Sequence, residues 1–237
     1  MTPQQPTESF SYNDTTSVES TDPAEVDLAD LIESIGKVSF AALPAGFSQV
    51  TACSSSLPPR DVVDSVLQTY LHRFAMPFLS RTSLLGHCDS TYAETSDNLY
   101  SVFLIGTIIA TTAVAVVPEP LSSSLQLYHF SIQRLSITLR TKAPDPFREL
   151  EAVLTLASFA RAVTPDAISS VGVTTSLLPD LRMLAGLGIR ISVDHGLHPC
   201  AQSPREKALF DAAYALDVEA ALLFHLPIGL PEATVHV

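Results

Sequence analysis

The sequence predicts an all-α fold, a bundle-like regulatory domain of several helices behind a disordered acidic N-terminal tail. Apolar residues recur at three- and four-residue steps over most of the chain after residue 57, which is the period of helices that bury one face. Proline or glycine marks the short turns between these segments, and strand-like alternation is missing except for an ambiguous stretch at 166–176. With 46% apolar residues the chain can form a real core, so helix packed on helix is the expected architecture.

Residues 1–56 are predicted to be an acidic, largely disordered leader, and residues 57–237 the helical domain. The chain carries a net charge of −12. Residues 1–36 contain no Lys or Arg but hold the acids Glu8, Asp14, Glu19, Asp22, Glu25, Asp27, Asp30 and Glu33. Few apolar side chains occur in 1–24, so burial cannot offset the entropy of ordering this part. A short amphipathic helix is expected at 23–36, either as a docking segment for a partner's groove or as part of a solubilising tail.

Prolines mark the bounds of the first predicted helices. One helix begins at Pro58–Pro59 and ends or kinks at Pro77, with an apolar stripe formed by Val62, Val63, Val66, Leu67, Tyr70, Leu71 and Phe74. A short helical turn follows at Arg81–Cys88. The next helix, Asp97–Val117, approaches the ~20 apolar residues that span a bilayer. Its threonines and acidic flanks favour a buried core helix instead.

Four further helices complete the predicted domain. The first two carry apolar faces over 121–139 and 150–160 and are preceded by prolines, and the third spans Pro179–Gly196. The last begins at a capping box, Ser203–Glu206, with proline in its first turn, and extends to Pro227. Its apolar face is predicted to consist of Leu209, Phe210, Ala213, Leu216, Ala220, Leu223 and Phe224.

Catalytic and metal-binding motifs are not evident in the sequence. Motifs for nucleotide binding, zinc peptidases and serine hydrolases do not occur. The segment Asp194–Cys200 is rich in metal-ligand types, but Gly196 makes it a helix exit, where histidines interact with the last carbonyls. Glu149 and Glu151 do not face each other on a helix, so they do not form a carboxylate pair. We expect no catalytic, metal or cofactor residues. Cys53, Cys88 and Cys200 are too few and too far apart for a disulfide framework, which indicates a reducing compartment, and Cys88 and Cys200 are expected to fill space in the core.

The C-terminal helices carry a recognisable pattern. A helix exit of the form Asp-His-Gly-Leu-His ends at His198. The last helix then has a Leu-Phe-x-x-x-Tyr-x-Leu-Asp spacing, formed by Leu209, Phe210, Tyr214, Leu216 and Asp217. A turn with Pro227 follows. In these residues the segment Leu181–Val237 resembles the middle homology region of fungal binuclear zinc cluster transcription factors, and with the helix at 57–84 the resemblance covers 57–237.

The resemblance implies an all-helical regulatory region that tunes an activator, in which the motif residues are structural and not catalytic. The sequence departs from the family pattern: the usual Gly-Arg-Pro turn reads His225-Leu226-Pro227 here, and two further departures concern the motif helix and the DNA-binding module. Asp211 occupies the family's tryptophan position, and the six-cysteine DNA-binding cluster is missing from this sequence. Such regulators often govern a metabolic or secondary-metabolite gene cluster, and some respond to a small molecule.

We therefore expect a non-enzymatic transcription regulator, or a truncated remnant of one, located in the nucleus or otherwise in the cytoplasm. Its partners would be the transcription machinery or a DNA-binding regulator, with a small-molecule effector and self-association as further expectations. Direct DNA binding is not expected, since no basic patch is visible, and the acidic leader argues against anionic membranes. Two alternatives stay open: a non-catalytic helical accessory protein that binds a small apolar ligand, and a helical enzyme built on the His195–Cys200 cluster.

Overall fold

A computed structural model describes residues 57–74, 76–93, 98–116, 121–141, 145–163, 180–197 and 203–230. These ranges contain seven α-helices and no strand, which confirms the predicted all-α class. The helices are α1 (Arg60–Phe74), α2 (Arg81–Tyr92), α3 (Leu99–Val116), α4 (Leu121–Thr141), α5 (Pro146–Ala162), α6 (Leu181–Asp194) and α7 (Pro204–Phe224). The acidic leader, the predicted helix at 23–36 and the ambiguous stretch at 166–176 lie outside the described residues, so these predictions stay predictions.

Helix α3 is the centre of the first half of the domain. It packs against α1, α2, α4 and α5, which explains why it is apolar on nearly every face. By length and composition α3 could cross a membrane, with a mean hydropathy of 2.1, but 67% of it is buried inside the protein. Core helices of folded proteins share this composition, so the burial agrees with the prediction of a core helix.

Helices α3 and α4 pack closely at Gly106. A Cβ atom on Gly106 would lie 2.2 Å from Ser131 Oγ and 3.4 Å from Ser131 Cβ. Ser131 cannot easily withdraw, because its hydroxyl donates to the Leu127 carbonyl at 2.7 Å. The absence of a side chain at Gly106 therefore sets the distance between the two helices.

Helix α5 joins the two halves of the domain. It packs against α3 on one side and against α6 and α7 on the other. The Tyr128 ring of α4 also stacks on the Phe159 ring of α5, with centroids 4.0 Å apart and planes 8° apart. Residues from α1 to α7 thus share one hydrophobic core.

Local capping fixes most helix ends where the sequence predicts them. Ser203 Oγ accepts from the Glu206 amide at 3.5 Å, the expected first half of the capping box. Gly196 has φ +63°, and the Leu197 amide returns to the Ser192 carbonyl at 2.8 Å, so α6 ends as predicted. The exception is α2, which runs to Tyr92 instead of Cys88, because no Gly or Pro follows to break it.

Candidate functional site

The motif residues of α7 lie mainly on its buried face. Leu209, Phe210 and Leu216 belong to the core, with at most 4% of each residue exposed. The half-buried Tyr214 ring lies parallel to the Phe210 ring at a centroid distance of 6.4 Å. These residues pack α7 against the domain, as a structural motif requires, and none of them lines a reactive site.

Two of the remaining motif residues, Asp217 and Pro227, belong to the arrangement of the turn after α7, and His198 lies outside the described residues. His225 adopts a left-handed conformation with φ 54°, and the chain reverses past the exposed Pro227. The Gly229 amide then donates to Asp217 Oδ2 at 2.7 Å. A Cβ atom on Gly229 would lie 3.2 Å from that carboxylate oxygen. Asp217, which is only 8% exposed, thereby ties the turn to the body of α7.

An exposed apolar strip covers the end of α7 and this turn. Leu222, Leu223 and Phe224 are 73%, 58% and 41% exposed, and Leu226 and Ile228 are 46% and 43% exposed. We call these five residues the C-terminal apolar strip. Arg182 of α6 lies over the Phe224 ring at 5.2 Å, while its guanidinium is paired with Asp180 at 2.6 Å. Several large apolar side chains that are close in sequence and stay exposed make this end of α7 a candidate contact surface for another molecule.

A concave feature, separate from the strip, lies between the end of α1, α5 and α7. This α5–α7 cleft has a volume of about 260 Å³, and its apolar lining includes Phe74, Met76, Phe78, Leu154, Ala157 and Leu216. Polar groups occur at its edge. Arg161 of α5 pairs with Glu219 of α7 at 3.0 Å. The exposed Asp211, at the tryptophan position of the resembled family, also lines the cleft.

A buried carboxylate occupies the opposite end of the α5–α7 contact. The Glu151 side chain is 2% exposed and lies 3.5 Å from the guanidinium of Arg205 on α7. Tyr100 Oη of α3 is 2.8 Å from Glu151 Oε2 and 3.1 Å from the Arg148 carbonyl oxygen, so its single proton has two acceptors. The Glu151 cluster, defined as Glu151, Tyr100, Arg148, Arg205 and His87, therefore links α2, α3, α5 and α7.

Burial dominates the protonation of this cluster. It raises the pKa of Glu151, although the Tyr100 hydroxyl and the nearby charges of Arg205 and Arg148 favour the carboxylate. Burial also lowers the pKa of His87, and the same two arginines add to that effect. The His87 ring, 5.9 Å from the Tyr100 ring, keeps one nitrogen 2.8 Å from Ser101 Oγ. A neutral imidazole beside two guanidinium groups is the favoured state.

Sequence reasoning missed this cluster. It tested Glu151 only against Glu149, its neighbour on the same helix, whereas the partners of Glu151 come from α3 and α7. One signal was available. Glu151 is the one charged residue in the run Leu150–Phe159, where a buried helix face was already predicted, and a charge at such a position requires a partner.

The metal-binding alternative gains no further ligands in the part of the chain that the structure covers. Asp194 pairs with Arg190 at 3.4 Å, and His195 is the exposed C-cap of α6. His198 and Cys200 lie outside the described residues. Among the residues that are described, no group of three His, Cys, Asp or Glu side chains converges.

Cys88 is a buried core thiol, as the sequence predicts. It is fully buried, and its Sγ lies 3.9 Å from Asp64 Oδ1. Burial raises the pKa of the thiol, and the charge of Asp64 acts in the same direction. A thiol held in the neutral form is a poor nucleophile and a poor metal ligand, so this cysteine fills space in the core.

Comparison with known proteins adds no relative to this picture. No family model matches the chain, and neither a curated protein nor a solved structure matches it. The likeness to the fungal middle homology region therefore depends on the motif residues of the sequence, and the functional argument depends on the surfaces described above.

Proposed function

We propose that this chain is a non-enzymatic transcription regulator that acts through protein contacts of its helical domain. In this proposal it serves a metabolic or secondary-metabolite gene cluster in the nucleus, by binding the transcription machinery or a DNA-binding regulator and not DNA itself. The observation that carries the proposal is the C-terminal apolar strip, because it leaves large apolar side chains at the end of the motif helix exposed to solvent.

The strip has the composition of an interface core. Four of its five side chains are aliphatic and the fifth is Phe224, and none is charged. Apolar and aromatic side chains in contiguous patches supply most of the energy of protein interfaces. A partner's amphipathic helix is the simplest element that would cover such a strip.

The strip is also held in place before a partner binds. The Leu226 amide returns to the Ala221 carbonyl at 3.0 Å, and Asp217 fixes Gly229. A surface that is ordered in the free protein loses little conformational entropy on binding. In this proposal the motif residue Asp217 contributes to function by holding the strip in position.

A reporter assay tests this function. The full chain is fused to an unrelated DNA-binding module, and expression of a reporter gene is measured beside the double variant Leu222→Ser, Leu223→Ser. The matched control, Val62→Ser with Ile137→Ser, removes apolar side chains that are 47% and 43% exposed elsewhere. We expect the wild-type and control fusions to change reporter expression several-fold and the strip variant to lose that effect.

Two results would contradict the proposal. The first is that the wild-type fusion leaves reporter expression unchanged although it is present in the nucleus at the level of a positive control. Alternatively, the strip variant changes reporter expression as strongly as the wild type, so the strip is not the contact. Circular dichroism of each purified variant confirms that a loss of effect does not come from unfolding.

The α5–α7 cleft favours a second candidate function, non-catalytic binding of a small apolar ligand. Ligand sites in helical proteins often lie between helices, and this cleft combines an apolar lining with polar groups at its edge. A ligand that binds only the folded state raises the thermal unfolding midpoint. No shift with any compound of a chemically diverse metabolite panel would argue against this second function.

A further inference from the structure

We infer that the α5–α7 cleft binds a small amphiphilic cation, with an apolar body between the helices and its positive group at Asp211. This inference rests on the second candidate function and names the ligand class that would fulfil it.

Small side chains open the cleft between α5 and α7. Ala157 of α5 and Ala212 and Ala215 of α7 all line it, and each leaves room that a larger apolar residue would fill. The end of α1 closes one side with Phe74, whose ring stacks on Tyr70 at 5.1 Å. An apolar body would therefore contact alanine faces on two helices and an aromatic ring held by its neighbour.

The charges along the cleft leave one carboxylate without a counterion. At one end Arg161 and Glu219 neutralise each other at 3.0 Å. Asp211 also lines the cleft, and among the residues placed by the structure it has no ion-pair partner. Eight residues separate Asp211 from Glu219 on α7, which corresponds to about 12 Å along a helix axis. The ligand expected from this pattern carries its cation at one end of an apolar body.

The size of the cleft argues for a small molecule and against a protein partner. Its volume of about 260 Å³ lies just below the ~300–1,000 Å³ typical of ligand pockets. A stable protein interface buries roughly 800 Å² on each partner, far more than a cleft of this size offers. An amine or other cationic group on a short apolar scaffold fits both the volume and the free carboxylate.

Three probes that differ only in their end group test the inference. Phenylbutylamine, phenylbutanol and phenylbutanoate are titrated by calorimetry into the full-length wild-type chain and three variants. Asp211→Asn removes the charge, Ala215→Leu fills the cleft at an exposed position, and Asp61→Asn is the matched control on the distant first turn of α1. Thermal unfolding of each variant shows that it is folded.

We expect the amine to bind the wild type up to about fivefold more tightly than the alcohol, since a charge contact at an exposed carboxylate is worth roughly 0.2–1 kcal/mol. Asp211→Asn should bring the amine to the affinity of the alcohol and leave the alcohol unchanged. Ala215→Leu should abolish binding of all probes, and Asp61→Asn should bind like the wild type.

The contrary results separate this inference from the function on which it rests. If the amine and the alcohol bind equally well and Ala215→Leu abolishes both, the cation preference is overturned, but the cleft remains a ligand-binding site. Tightest binding of the carboxylate also overturns the cation preference and points to Arg161. Binding that Ala215→Leu does not reduce places the probe elsewhere and overturns the inference. No binding of any probe overturns both the inference and the second candidate function.

Discussion

Two Arg–Glu pairs join the same two helices at opposite ends, and they differ in burial. Near the start of α5 and α7, Glu151 pairs with Arg205 at 3.5 Å, and the Glu151 side chain is 2% exposed. Near their ends, Arg161 pairs with Glu219 at 3.0 Å, and both side chains are at least 33% exposed. The shorter pair is the more solvated one, so distance alone does not rank the two pairs by their effect on stability.

The difference shows what each end of the α5–α7 contact contributes. An exposed pair gains little, because water screens the attraction and both side chains lose freedom. A buried carboxylate has already lost its hydration, and it depends on the protein groups around it. We therefore expect the Glu151 end to affect stability more strongly, whereas the Arg161 end is exposed to solvent and borders the cleft.

Substitution of Glu151 should have the largest effect. We expect Glu151→Ala to lower the free energy of unfolding by about 2–3 kcal/mol, because truncation leaves a cavity and removes the carboxylate that Tyr100 and Arg205 share. Glu151→Leu should cost less than about 1 kcal/mol, since it refills the space and removes the buried charge. Chemical denaturation of the full chain measures both values.

The pair of Glu151 variants distinguishes volume from charge. If Glu151→Leu is as destabilising as Glu151→Ala, the carboxylate itself is essential to the fold. Tyr100 keeps an acceptor in both variants, because its hydroxyl lies 3.1 Å from the Arg148 carbonyl oxygen. An unpaired Tyr100 hydroxyl would therefore not explain such a result.

Tyr100→Phe should have the next largest effect, about 1–2 kcal/mol. Loss of the hydroxyl removes a hydrogen bond to a carboxylate that remains buried. The same change in a Glu151→Leu background should cost less, about 0.5–1 kcal/mol, because only the hydrogen bond to the Arg148 carbonyl oxygen remains to be lost. Additive effects in this double-mutant cycle would show that the 2.8 Å contact contributes nothing measurable to stability.

The contrast between the two ends also separates what sequence predicts from what it does not. Helix period, prolines and capping residues are local signals, so the bounds of α7 from Ser203 onward could be read directly. The partners of Glu151 come from distant parts of the chain, and pairing across helices leaves no local spacing to recognise. Burial of a predicted face depends likewise on neighbours.

The end of α7 illustrates that second limit. The apolar face predicted from periodicity includes Leu223 and Phe224, yet these side chains are 58% and 41% exposed. Period identifies residues on one side of a helix, but it does not show whether another element covers the last turn. The strip and the cleft, which carry the functional proposals, therefore became visible only with the packed helices.

Acidification should affect the buried cluster through two groups with opposite signs. The folded pKa of His87 lies below its ordinary 6.5, so folding favours the neutral ring, and stability falls as pH drops below 6.5. The folded pKa of Glu151 lies above its ordinary 4.5, so stability rises as pH falls through the folded pKa toward 4.5. We expect stability curves of His87→Gln and Glu151→Gln to deviate from the wild type in opposite directions between pH 7 and 4.5.

The difference in stability between the wild type and one variant, followed over pH, reports the titration of the residue that the variant replaces. Burial also lowers the pKa of His129, but this residue is present in the wild type and in both variants, so its effect cancels. Wild-type stability should fall relative to His87→Gln and rise relative to Glu151→Gln as the solution is acidified. If the stability curve of either variant runs parallel to that of the wild type, the replaced group has the same pKa in the folded and the unfolded chain.

The smallest effect is expected at the exposed end. Glu219→Ala should lower the free energy of unfolding by about 0.2–1 kcal/mol. That loss should nearly vanish at 1 M salt, where the Debye length is about 3 Å. Arg161→Ala should cost a similar amount, and the double variant little more than either single one. A cost above about 2 kcal/mol that persists in salt would mean that this pair acts as a buried one, and burial would then no longer distinguish the two ends of the α5–α7 contact.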